Sequence, residues 1–116
     1  MNKVYSELAQ WGCNIEIAME RFLNDEDLYT VCLNEVIRDT AFEDLGKAIS
    51  DKDVSAAFEC AHTLKGVLAN MELTPMLTYI DEILQPLRNG RMDNLNSIYG
   101  ELMKAKDKLS NIINNT

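Results

Sequence analysis

Apolar residues recur at helical spacing along almost the whole chain, and this pattern limits the fold more than any other feature. The clearest apolar stripe lies near the end of the chain and consists of Leu95, Ile98, Leu102, Ala105, Leu109 and Ile112. No segment shows the sustained apolar–polar alternation of a half-buried strand. Only five glycines and two prolines occur in 116 residues, which also disfavours a turn-rich β fold. The sequence therefore predicts an all-α protein.

Capping residues and turn residues divide this pattern into helices. The predicted helices are 2–11, one that follows Asn14, 25–50 with a break near Asp39, 54–70, one from Thr74 to Asn89, and one that follows Asp93. Thr40 and Glu43 fit a capping box at the break. Because the connections are short, we expect an antiparallel four-helix bundle with additional short N-terminal helices. Residues 1–116 are predicted to form a single domain.

Charge and composition exclude several classes of partner. The formal net charge is −8, so binding to nucleic acid or to an anionic membrane is not expected. No apolar run approaches the roughly 18 residues of a membrane span, and the first residues do not resemble a signal peptide. The three cysteines are widely spaced, which indicates reduced thiols rather than disulfides. We therefore expect a cytoplasmic protein, and we expect it to be a monomer.

His62 is the only histidine of the chain, and its helical phase separates it from the core. At about 100° per residue, the apolar positions of 54–71 fall in one narrow stripe, and His62 lies roughly 130° from its centre. A lone histidine in a helix is more often a core residue than a functional one. Here the phase predicts an exposed imidazole.

Two neighbours of His62 on the same helix suggest chemistry at this surface. A glycine at position 66 lowers the stability of the helix by about 0.5–1 kcal/mol relative to alanine. Gly66 lies almost opposite the core stripe, so packing against another helix of the protein does not explain why a glycine is there. We expect it to leave open space beside the imidazole. Lys65 lies one turn from His62 and can reach an anion attached to it. A solvated lysine would be the ordinary interpretation if it stood alone.

Phe58, Glu59 and Ala69 surround the histidine on the predicted helix surface. An exposed Phe58 among small residues suggests a surface that a partner covers. The competing interpretation is that Phe58 leans over the flank of the bundle. Both interpretations stay open at the level of the sequence.

Other chemistries lack the residues that they need. Glu59 and His62 spell the Glu-x-x-His pair of di-iron bundles, but such a site needs a second histidine. Cys60 and His62 point to different sides of the helix and cannot chelate one metal ion together. No phosphate-binding glycine motif is present, so no nucleotide site is predicted. The chain is therefore not expected to be an autonomous kinase or other enzyme, and neither a cofactor nor a metal ion is predicted for it.

The segment 62–66, HTLKG, resembles the His-x-Leu-Lys-Gly signature of histidine-containing phosphotransfer (HPt) domains. Ala61 before the histidine and the segments 18–22 and 25–29 are also similar to that family, as are Asn70 and Thr74. The resemblance covers about residues 11–89, with a last helix expected after them.

The resemblance implies a role for each residue of the motif. His62 would accept the phosphoryl group on Nε2, Lys65 would steady it, and Gly66 would let a partner approach. The partners would be receiver domains of a hybrid histidine kinase or a response regulator, and the Mg²⁺ would belong to the receiver. A stand-alone carrier and a domain of a larger kinase both fit this implication.

Four residues do not fit the family pattern well. Val67 and Leu68 are bulkier than the usual residues after the glycine, although Leu68 continues the core stripe, and Pro86 is expected to bend or shorten its helix. Glu72 replaces a glycine in the following turn, where a positive φ would strain a glutamate. We therefore expect a different helix end or a shifted turn at Glu72.

Two functions from different classes follow from these patterns. The first is a phosphorelay carrier that shuttles a phosphoryl group between receiver domains on His62. The alternative is a non-catalytic helical protein-binding module in which the surface around Phe58, Gly66 and Ala69 docks a partner. Phosphorylation that depends on His62 would separate the two.

Overall fold

Seven α-helices make up most of residues 3–114, which are the residues that the structure, a computed structural model, describes. In chain order they are α1 (Lys3–Trp11), α2 (Ile15–Arg21), α3 (Glu26–Arg38), α4 (Ala41–Ser50), α5 (Val54–Asn70), α6 (Thr74–Arg88) and α7 (Leu95–Asn114). No strand occurs among these residues, so the predicted all-α class is confirmed. None of the helices described in this range is long and apolar enough to cross a membrane.

Helices α4 to α7 form the bundle. α4 packs against α5, α5 against α6 and α6 against α7, and α7 also contacts α4. Consecutive bundle helices are joined by short turns at 51–53, 71–73 and 89–94, so neighbours run antiparallel. α1 and α3 lie against α7, and α2 contacts both of them. The predicted four-helix bundle with additional N-terminal helices is confirmed.

Asparagine and aspartate side chains begin three of the helices, as their positions in the sequence predict. Asn14 accepts a hydrogen bond from the backbone N–H of Ile17, and Asp25 and Asp53 each accept one from the third residue that follows. Asp93 was expected to start the last helix in the same way. α7 instead begins at Leu95, and the Asp93 carboxylate lies 3.9 Å from Nε of Arg91.

The break between α3 and α4 is confirmed, but its capping is not the predicted one. Asp39 is extended, with φ −64° and ψ 121°, which ends α3. Its carboxylate accepts a hydrogen bond of 2.9 Å from the backbone N–H of Ala41. Thr40 makes no side-chain capping bond, so the capping box of Thr40 and Glu43 is wrong.

One continuous apolar core joins the bundle to the N-terminal helices. Its largest fully buried side chains are Tyr5, Tyr29 and Phe42. Cys13, Cys32 and Cys60 are free thiols, as the sequence predicts. Burial raises the pKa of Cys13 to about 12, so this thiol remains protonated and packs as a small apolar residue.

Glu72 adopts the left-handed conformation at the end of α5. Its φ is 58°, and the backbone N–H of Leu73 donates a 3.0 Å hydrogen bond to the carbonyl of Leu68. The N–H of Glu72 itself donates to the carbonyl of Ala69, so the turn is a Schellman motif. The expectation of a different helix end was therefore wrong, and the glutamate accepts a conformation that favours glycine.

Arg21 of α2 compensates for this strained turn. Its Nη1 donates hydrogen bonds of 3.0 and 2.8 Å to the carbonyls of Ala69 and Asn70, and its Nη2 lies 3.1 Å from the Glu72 carboxylate. The last carbonyls of α5 thereby gain a partner, and a cation stands at the negative end of the helix.

Pro86 does not shorten α6. The helix runs past it to Arg88, although Pro86 cannot donate to the carbonyl one turn earlier. The carbonyl of Pro86 then accepts hydrogen bonds from the N–H groups of Asn89 and Arg91, which ends the helix where the Asn89-Gly90 pair predicts.

Gly46 of α4 is required by the packing of α7. A Cβ at position 46 would lie 2.6 Å from Cζ of Tyr99, well inside contact distance. The Tyr99 hydroxyl donates a 2.9 Å hydrogen bond to the carbonyl of Phe42, which holds the ring against α4. Nothing lies within 4 Å of a Cβ built at Gly100, on α7 itself.

These two glycines are expected to respond in opposite directions to alanine. Gly46→Ala forces the Tyr99 ring away from α4 and lowers the free energy of unfolding by about 1–3 kcal/mol. Gly100→Ala meets no neighbour and raises it by about 0.5–1 kcal/mol. Urea denaturation followed by circular dichroism measures both, and equal stability of the two variants would contradict the packing described.

Arg21→Gln removes the partner of the α5 carbonyls and of Glu72. We expect it to lower the free energy of unfolding by about 1–2 kcal/mol and to speed amide exchange in the last turn of α5. Arg38→Gln is the control, because Arg38 makes only an exposed pair with Glu35 at 3.7 Å. The control is expected to change stability by less than about 0.5 kcal/mol. Equal losses in the two variants would contradict the capping role.

Candidate functional site

The candidate site lies on the solvent face of α5. The helix begins at the Asp53 cap and buries Ala57, Ala61, Leu64 and Leu68 completely. Its two packed flanks meet α4 and α6, so only the remaining face reaches solvent. His62 is exposed on that face, which confirms the position that the helical phase predicts.

The His62 imidazole stacks on the ring of Phe58, one turn earlier. The ring centroids are 5.9 Å apart, and the planes are inclined by 25°. Phe58 is half-buried and packs against the core, so it does lean over the flank of the bundle. Its partly exposed side chain, together with Glu59, His62 and Thr63, lines a shallow recess. The stack limits the directions in which the imidazole can turn.

Lys65 has a partner that the sequence does not reveal. Its Nζ lies 3.0 Å from Oδ1 of Asp81 on α6, and the side chains of Lys65 and Asp81 are 41% and 55% exposed. Lys65 and His62 are spaced i, i+3, so the lysine can reach either the carboxylate or a group on the imidazole. The pair joins residues that are distant in sequence, so no local sequence pattern predicts it.

Gly66 and Ala69 extend the exposed surface toward the end of α5. A Cβ built at Gly66 would meet nothing within 4 Å, so no neighbour inside the protein requires a glycine there. Ala69 is also exposed, two turns from His62. The surface beyond the imidazole is therefore low and open, as the sequence predicts.

Cys60, two residues before His62 on α5, is a half-buried free thiol. Burial foremost, and then Asp44 and Glu59, raise the pKa of the Cys60 thiol, which disfavours a thiolate. Within residues 3–114, no group of three or more histidine, cysteine or acidic side chains is placed to hold a metal ion.

All six residues singled out in the sequence share one helix, but they do not make one compact cluster. Phe58 and Glu59 line the recess at the His62 imidazole and Lys65 lies one turn further along α5, whereas Gly66 and Ala69 leave the surface beyond the imidazole open. An accessible ring nitrogen next to a lysine can attack an electrophilic phosphorus that a partner presents.

Comparison with known proteins agrees with this geometry. The family model of the Hpt domain matches residues 27–112. No curated protein sequence matches the chain. Histidine-containing phosphotransfer protein B (HptB) from Pseudomonas aeruginosa PAO1, a solved crystal structure, superposes with a TM-score of 0.79 at 19% identity over 89% of this chain and 91% of that chain. This likeness shows a shared fold.

The family match covers the bundle together with the surface that carries His62. It supports a phosphocarrier of two-component signalling rather than a catalytic enzyme. The chain belongs to the Hpt domain family.

Proposed function

We propose that this protein is a phosphorelay carrier that exchanges a phosphoryl group between receiver domains on His62. The observation that carries the proposal is the exposed imidazole on a helix of an Hpt domain, with one cation and one open patch beside it. The receivers are those of a hybrid histidine kinase, a response regulator or both.

The transfer uses only groups that the two partners hold. The lone pair of Nε2 of His62 attacks the phosphorus of an aspartyl phosphate, and the phosphorus–nitrogen bond forms as the phosphorus–oxygen bond breaks. The aspartate leaves as a carboxylate, while the ring keeps its proton on Nδ1 and takes up the positive charge. Attack by the aspartate of a second receiver reverses these steps. Mg²⁺, which would be held by the receiver, would balance charge on the phosphoryl oxygens.

Each neighbour of His62 has a proposed role in this exchange. Lys65 stabilises the phosphoryl group through a charge-assisted contact with its oxygens. This contact contributes about 1 kcal/mol or less in open solvent and about 1.5–3 kcal/mol once a partner covers the site. Gly66 and Ala69 leave room for the backbone of the receiver. Phe58 and Glu59 contact it on the other side of the imidazole.

The carrier needs no nucleotide and no cofactor of its own, because the phosphoryl group arrives already activated on the receiver. We propose that it works as a monomer in the cytoplasm. A single exposed site is sufficient for a relay in which the two receivers bind one after the other.

His62→Gln is expected to abolish labelling by phosphorylated receiver domains. The wild type should carry a phosphoryl group that is lost in acid and kept in alkali, because a phosphorus–nitrogen bond has that stability. A time course against a panel of radiolabelled receivers measures both proteins, with circular dichroism as the check of folding. A folded wild type that no receiver labels would contradict the proposal, and receiver binding unchanged by His62→Gln would then favour the protein-binding alternative.

Gly66→Gln is expected to separate partner approach from chemistry. A glutamine side chain fills the open space beside His62, so the rate of phosphoryl transfer from a receiver should fall about tenfold or more, equivalent to about 1.4 kcal/mol. Labelling by phosphoramidate, a small donor, should remain close to that of the wild type. Gly100→Gln is the matched control, since nothing lies within 4 Å of a Cβ at that position on α7. Equal transfer rates in the two variants would contradict the clearance role of Gly66.

A further inference from the structure

The pair of Lys65 and Asp81 sits on the seam between α5 and α6. Each residue directly follows a completely buried leucine or isoleucine, Leu64 on α5 and Ile80 on α6. Packing of the two helices therefore fixes the backbone positions from which the charged side chains extend. The two charged atoms lie 3.0 Å apart on this rigid support.

The charges near His62 are few, which makes the pair influential. Lys65 is the only lysine or arginine in α5. Glu59 is the single acidic residue of that helix. On the other flank, Asp44 of α4 lies near Cys60, whose thiol pKa it helps to raise. Glu82, next to Asp81 in sequence, lines a different recess with Tyr79 and Lys104 on the α7 side. Asp81 is thus the carboxylate of α6 that faces the cation of the site.

We propose that Asp81 is a positioning residue for the phosphoryl group, an inference that rests on the proposed function. It holds the Lys65 ammonium on the α6 side while His62 is unmodified. It then competes with the phosphoryl group for that ammonium after transfer. Asp81 thereby limits the hold of Lys65 on the phosphoryl group and keeps the group available for the next receiver.

The relative charges determine the direction of this competition. A phosphoryl group carries close to two negative charges near neutral pH, whereas Asp81 carries one. The two side chains are about half exposed, so solvent screens their pairing and the ammonium can exchange between the two anions at little cost. Once the exchange has occurred, the unpaired Asp81 remains near the dianion and raises its energy.

The second ionisation of the phosphoryl group reports this field directly. Wild type, Asp81→Asn, Asp81→Glu and Glu82→Gln are phosphorylated with phosphoramidate, and the pKa of the phosphoryl group is read from the phosphorus-31 shift at low salt. Asp81→Asn is expected to lower that pKa by about 0.3–0.5 unit, because a negative neighbour is lost and Lys65 is freed. Asp81→Glu and Glu82→Gln should match the wild type.

A second measurement tests whether Asp81 acts through Lys65. In a Lys65→Met background, the effect of Asp81→Asn should fall to less than half, because only the direct field of the carboxylate remains. An undiminished effect in that background, or equal values for Asp81→Asn and Glu82→Gln, would overturn the positioning role alone. A folded wild type without any phosphohistidine signal would overturn the proposed function together with it.

Discussion

The burial of one narrow face of α5 is the constraint on which the rest of the site depends. Ala57 and Ala61 are small and completely buried, so α4 and α6 can approach the helix closely on its two flanks. Leu64 and Leu68 continue the same face. Successive residues are rotated by about 100° around the helix axis, so fixing the buried face also fixes the direction in which His62 points and the side on which Gly66 leaves open space. The exposed imidazole is thus a consequence of core packing, and no separate interaction is needed to hold the helix in that phase.

The ends of α5 explain why the helices before the bundle matter to the site. Arg21 of α2 binds the last carbonyls of α5, and the Tyr29 hydroxyl of α3 donates a 2.8 Å hydrogen bond to the carbonyl of Met71. A non-glycine residue in the left-handed region costs about 1–2 kcal/mol, which Glu72 offsets in part by its pair with Arg21. The N-terminal helices therefore stabilise the turn that sets where α5 stops and α6 begins.

Helical period alone was sufficient to predict the part of the site that lies on one helix. The exposure of His62 and the open space at Gly66 both follow from counting residues along α5. Asp81 and the contact of Gly46 with Tyr99 could not be found in this way, because they join helices that only the folded chain brings together. The local chemistry at the α3–α4 break was also ambiguous. Asp39 and Thr40 can both cap a helix, and the extended backbone of Asp39 favoured the aspartate.

The balance of charge at the site suits reversible transfer better than tight binding. Lys65, the one basic residue of α5, is paired with Asp81 of α6, and Glu59 adds a further negative charge on α5, within a protein whose formal net charge is −8. A phosphoryl group on His62 adds negative charge to a surface that already has an excess of it. Under the proposed function, stabilisation of that group would therefore come largely from the partner receiver and the Mg²⁺ that it would hold. In the proposed relay, a carrier with several cations around His62 would hold the phosphoryl group too firmly to pass it on. A carrier with none would gain no preference for the group between two encounters.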